Sequence, residues 1–163
     1  MNTLAGIVIT GVGATLVMDL WGLARRPLLG IPAPDYGLVG RWLGHMPAGR
    51  FRHPRIAAAA PVRGERLLGW TAHYLIGITF AALLVALVGP DWLQTPSLLP
   101  ALGVGLVSVL APFLLMQPGM GAGVAASRTP DPGKARRQSL LTHAVFGLGL
   151  YLAASAARLL AAV

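Results

Sequence analysis

The stretch LLGWTAHYLIGITFAALLVALV, residues 67–88, is continuously apolar and contains no Asp, Glu, Lys or Arg. A helix of roughly 20 apolar residues crosses the ~30 Å hydrocarbon core of a bilayer. A strand in that setting would leave its backbone unpaired unless it closed into a barrel, and barrel strands alternate apolar with polar residues. This stretch does not alternate, so it reads as a transmembrane helix.

Three further runs have the same character: Leu4 to Leu23, Leu98 to Met116, and Leu140 to Ala162. Across all four, only Asp19 and Arg158 are charged. The whole chain of 163 residues is 55% hydrophobic and 11% charged, whereas a soluble domain carries about 25% charged residues. The expected fold is therefore an all-α integral membrane protein: one domain over 1–163, a bundle of four transmembrane helices. The N-terminus has no Lys or Arg before its apolar run and no convincing cleavage site, so the first helix is expected to stay in the mature protein.

The connecting segments carry the topology signal. Of the 13 basic residues, Arg25, Arg26, Arg41, Arg50, Arg52, Arg55, Arg63 and Arg66 lie between the first and second runs. Arg128, Lys134, Arg136 and Arg137 lie between the third and fourth. The short link 89–97 has none. The positive-inside rule then predicts both basic loops in the cytoplasm and both termini outside, and the membrane expected is an inner membrane of bacterial type. A net charge of +8 would suggest nucleic acid on a soluble fold. Here it predicts contact with anionic headgroups, and no nucleic acid. Trp70 and Trp92 are expected in an aromatic belt, and Arg158 is expected to snorkel outward.

Within the first basic loop, Val39, Trp42, Leu43 and Met46 recur at helical spacing, which fits a short interfacial helix or a basic loop adhering to lipid. His45 and His53 are expected to be solvated there, and Glu65 to pair with Arg63, Arg66 or the other loop. Gly11, Ala14, Gly22, Gly77, Ala81, Gly103, Gly147 and Ala154 read as close-packing positions. Pro112 predicts a kink.

Several strings resemble an uncharacterised bacterial membrane-protein family, domain of unknown function 2938 (DUF2938). They are GATLVMDLWG at 13–22, GRWLGHMPAGRFRH at 40–53, GERLLGWTAHYLIG at 64–77, APFLLMQPGMGAGVAASRTP at 111–130, and HAVFGLGLYLAA at 143–154. The resemblance runs nearly end to end. It implies a multi-spanning protein and brings no activity with it.

Candidate chemistry comes from depth. At about 1.5 Å per residue, Asp19, His73, His143 and Gln117 with Met116 fall in one layer near the basic side. Thr15 and Ser139 share faces with Asp19 and His143 by i,i+4 spacing. An acid inside a membrane helix costs ~2.5–3.5 kcal/mol on insertion scales and usually marks a site. Four readings compete. The layer lines a transporter-like or channel-like path for a small solute, cation or proton, which in so small a bundle implies a homo-oligomer. Alternatively, His73 and His143 ligate a metal ion or haem iron, with Asp19 or Met116. A third reading is a scaffold or accessory subunit with a membrane partner, in which the polar groups act as interhelical glue. An enzyme, with His73 or His143 as general base and Asp19 orienting it, ranks last, because no nucleophile motif accompanies the histidines and no residue is assigned as catalytic. The simplest cofactor expectation is none. Gly119, Gly121 and Gly123, with Arg128, Arg136 and Arg137, read either as a flexible turn or as an anion or headgroup cradle.

Overall fold

The computed structural model describes residues 2–161, which are mostly helical and contain no strand. Four helices are long and apolar enough to cross a membrane: Thr3–Leu29, Glu65–Val88, Leu98–Met120 and Pro132–Leu160. In their most apolar windows only 22–39% of residues are buried. The remaining faces carry exposed Leu20, Leu67, Leu75, Leu99 and Leu159, which water would not tolerate at this density.

The first and last helices are longer than their apolar blocks. α1 (Thr3–Leu29) starts at Asn2, whose side chain accepts from the Ala5 N–H at 2.8 Å, and ends at Gly30 in the left-handed region at φ 67°. α6 (Pro132–Leu160) starts at Pro132, with the Asp131 carboxylate accepting from the Lys134 N–H at 2.9 Å. Caps set helix ends, whereas hydropathy sets only the length that lipid can cover.

The chain packs as two compact units. The first comprises Met1–Ala33, Tyr74–Ser108 and Leu141–Val163. It holds α1, most of α3 (Glu65–Val88), α4 (Leu98–Ser108) and most of α6. These helices meet backbone to backbone. A Cβ on Gly11 would sit 2.5 Å from the Ile78 Cα, and one on Gly149 would sit 2.9 Å from the Ala14 Cα. A Cβ on Gly105 would collide with the Gly147 backbone. Close approach of this kind lets dispersion and interhelical contacts replace the hydrophobic effect, which lipid does not supply. Gly103 differs from the expectation, because it is exposed and nothing lies within 4 Å of its would-be Cβ. Leu84, Val85, Val104, Phe146 and Leu150 fill the core between the crossings. Trp92, expected in an aromatic belt, is instead buried in that core at 4% exposure, its indole N–H reaching the Ser97 carbonyl at 3.3 Å.

The second unit comprises Pro34–His73 and Val109–Leu140. The periodic loop segment forms a helix, α2 (Tyr36–His45), capped by the Asp35 carboxylate, which accepts from the Gly37 N–H at 2.9 Å. α2 packs on the start of α3 through Gly40 and Gly69, where any Cβ would meet backbone. Arg41 then clamps the segment. Its Nε and Nη2 donate to the two Glu65 carboxylate oxygens at 2.9 and 2.7 Å, and Nη1 donates to the carbonyls of Ala57 and Ala59. Arg41, not Arg63 or Arg66, is therefore the partner of Glu65. The side chains are only 14% and 19% exposed. The hydrogen bond to Glu65 holds the Arg41 guanidinium above its ordinary pKa.

Pro112 has no N–H for the carbonyl four residues earlier. α4 accordingly stops at Ser108, and the chain continues as a π-helical turn over Pro112–Met116 and then α5 (Gln117–Met120).

Candidate functional site

The expected polar layer divides between the two units. Thr15, Asp19 and His143 belong to the first, and His73, Met116, Gln117 and Ser139 to the second.

In the first unit, Asp19 is half-buried in α1 and its Oδ2 accepts the phenol proton of Tyr74 at 2.9 Å. One turn back on the same face, the Thr15 hydroxyl is fully buried. It donates to the Gly11 carbonyl at 2.8 Å and lies against Gly77. Thr15 thus closes the α1–α3 crossing from which Asp19 and Tyr74 project.

The His143 ring meets the Ser108 hydroxyl, with Nδ1 and Oγ 2.7 Å apart. Ser108 is 2% exposed, and its Oγ also stands 2.6 Å from the Gly105 carbonyl. A hydroxyl has one proton and a carbonyl can only accept. When Ser108 donates to Gly105, the imidazole must donate from Nδ1, and the neutral ring then carries its lone pair on Nε2. Hydrogen bonding to Ser108 thereby selects the tautomer.

Each of the four long apolar helices therefore supplies one proton-exchanging group to a hydrogen-bonded pair: Asp19 from α1, Tyr74 from α3, Ser108 from α4 and His143 from α6. Tyr74 and Ser108 were not legible from sequence. Tyr74 hides beside His73, and Ser108 is a single hydroxyl in an apolar run that also fits simple self-capping.

In the second unit, the His73 ring stacks on Tyr36, with centroids 4.0 Å apart and planes at 23°, and Trp70 meets Tyr36 at 4.7 Å. Gln117 is half-buried, and its Oε1 is buried without a hydrogen-bond partner among the described residues. Met116 and Ser139 are half-buried. Among the described residues there is no group of three or more His, Cys, Asp or Glu side chains placed to hold a metal ion.

The Gly-rich segment packs on its own chain. The Gly119 Cα faces the Trp42 indole, and Gly121, at φ 98°, faces the backbone carbonyls of His53 and Pro54. The His53 N–H donates to the Gly119 carbonyl at 2.8 Å. Gly123, at φ 76°, lies against Ser127 and Arg128. Arg136 donates from Nε to the Ala125 carbonyl at 2.8 Å, while Arg128 and Arg137 are exposed. The faces of Gly119 and Gly121 are thus covered by protein. His53, expected to be solvated, is buried at 9% exposure beneath this turn.

Comparison with curated proteins and with solved structures gives no match. A family profile matches residues 8–157, nearly the full length. This chain, with four helices fit to span a membrane, belongs to the family described as "Protein of unknown function (DUF2938)".

Proposed function

We propose that this protein passes a proton or small cation through the membrane, using the hydrogen-bonded groups of its first unit. The observation that carries the reading is the Tyr74–Asp19 bond of 2.9 Å between two apolar spanning helices. A carboxyl group at such a position marks an ion or proton pathway more often than not. Ser108–His143 adds a second exchangeable pair, and histidine is the side chain whose ordinary titration lies nearest neutrality. Asp19 takes up the cation or proton, Tyr74 orients its carboxylate, and His143, oriented by Ser108, offers a second exchangeable group.

Four helices leave little room for an aqueous path, so the working form is a homo-oligomer whose exposed leucine faces are shared with copies and lipid. The protein sits in a bacterial inner membrane, with its arginine-rich loops inside and both termini outside, as the charge asymmetry favours.

The test is dissipation of an imposed pH or cation gradient in proteoliposomes, followed with an entrapped dye. Wild type should exceed protein-free vesicles, and Asp19→Asn and His143→Phe should abolish the excess in protein that still unfolds cooperatively in detergent. Wild-type vesicles as tight as empty ones would sink the proposal. Loss of melting temperature without any flux to lose would identify the pairs as interhelical glue.

A further inference from the structure

The end of α2 and the segment after it line an open pocket of about 330 Å³ within the second unit, and the Asp19 site makes no use of it. His45, Arg50, His53 and Arg55 line it, together with Pro54 and the backbone near Ala60. No carboxylate is among its lining residues, and the nearby Glu65 is already held by Arg41. The side chains of Arg50 and Arg55 are exposed and make no hydrogen bond or ion pair among the described residues.

His53 provides an independent sign of a missing ligand. Its side chain is nine-tenths buried, at 9% exposure, and its Nε2 has no hydrogen-bond partner among the described residues. A buried polar atom left without a partner in a native structure calls for an explanation. The ring is not loosely placed, because the Gly119 carbonyl holds its backbone N–H at 2.8 Å and His45 meets it edge-on at 4.9 Å. His45 in turn points Nε2 at the Ala60 carbonyl, 2.9 Å away, and since a carbonyl only accepts, that nitrogen carries a proton.

We infer that this pocket is a binding site for a phosphate group, carried either by a phospholipid headgroup or by free phosphate. Two unpaired guanidinium groups and an imidazole nitrogen able to donate when protonated match phosphate oxygens. The same charges oppose a metal cation, which needs lone pairs and negative ligands. The volume lies at the small end of the roughly 300–1,000 Å³ typical of small-molecule pockets, so a phosphate with a small polar substituent fits. Next to Arg50 in the chain, Phe51 is 58% exposed and is flanked by Arg52 on its other side, an apolar ring between cations as suits a lipid surface.

The experiment uses full-length protein in detergent. Inorganic phosphate is titrated by calorimetry. Phosphatidylglycerol and phosphatidylcholine in mixed micelles are each followed by native mass spectrometry. Saturable binding of one phosphate group per chain is expected. Arg50→Gln with Arg55→Gln should weaken it about tenfold or more, and His53→Gln should also weaken it. The control pair Arg52→Gln with Arg63→Gln removes the same charge from exposed residues outside the lining and should change it less than about threefold. Binding of both inorganic phosphate and phosphatidylglycerol assigns a free-anion site, and phosphatidylglycerol alone assigns a headgroup site. No saturable binding of either, or equal losses in the lining and control pairs, overturns the inference.

Discussion

Gly105 and Gly103 stand two residues apart on one helix and should respond oppositely to the same added methyl group. In Gly105→Ala the new Cβ would lie 2.6 Å from the Gly147 nitrogen and 2.8 Å from the His143 carbonyl oxygen, both backbone atoms. Comfortable contact needs about 3.5 Å and the Gly147 Cα is closer still, so α4 and α6 must part by ~1 Å or more. Overpacking of this kind costs ~1–3 kcal/mol. In Gly103→Ala nothing lies within 4 Å, and that strain is absent. The gain in helix propensity from Gly to Ala, about 1 kcal/mol, is common to both variants and cancels in their comparison. Thermal unfolding in one detergent should therefore place Gly105→Ala roughly 2–12 °C below Gly103→Ala, taking about 2–4 °C per kcal/mol for a chain of this size. The His143 imidazole nitrogens should also shift in an NMR spectrum of Gly105→Ala alone, because the helix that carries His143 is the one displaced. Melting temperatures within a degree of each other would refute the backbone-contact account of the α4–α6 crossing.

Tyr74→Phe removes the only proton the phenol gives Asp19 and should destabilise the first unit by ~0.5–2 kcal/mol, the range for membrane and buried hydrogen bonds; a chemical unfolding midpoint equal to wild type would contradict it. Arg41→Lys cannot make the forked contact with Glu65 while also holding two carbonyls, so trypsin should cut after Arg55 and after Arg63 several times faster than in wild type, and unchanged cleavage would remove Arg41 as the clamp. Ala125 sits at φ 47°, where an L side chain costs ~1–2 kcal/mol; Ala125→Gly should raise the melting temperature, and a fall would show the strain to be misassigned. Reporter fusions at Gln94 and Lys134 should report outside and inside respectively, and the reverse pattern would overturn the proposed orientation.

Hydropathy was enough to read the helical class and all four spans, because lipid leaves no other way to satisfy backbone groups over runs such as 67–88. Helix ends were less legible. Asp131 with Pro132 and Asn2 with Gly30 are capping chemistry, which acts outside the apolar blocks. Asp19 was found because a charge in an apolar run is conspicuous, and His143 because imidazoles are few. Their partners Tyr74 and Ser108 lie 55 and 35 residues away in the chain, and only the helix crossings decide which of several hydroxyls comes within reach. The burial of His53 was equally hidden, since it depends on the glycine turn at 119–121 lying over it.

Ser108 gives His143 two states that differ without any movement of the ring. With the hydroxyl turned to Gly105, the imidazole proton resides on Nδ1. With the hydroxyl turned to the ring, it must reside on Nε2. Rotating one O–H bond is a fast event, whereas rotating an imidazole packed between helices is slow. The pair is thus a two-position latch whose setting is written in a single hydrogen, and replacing Ser108 with alanine would remove it.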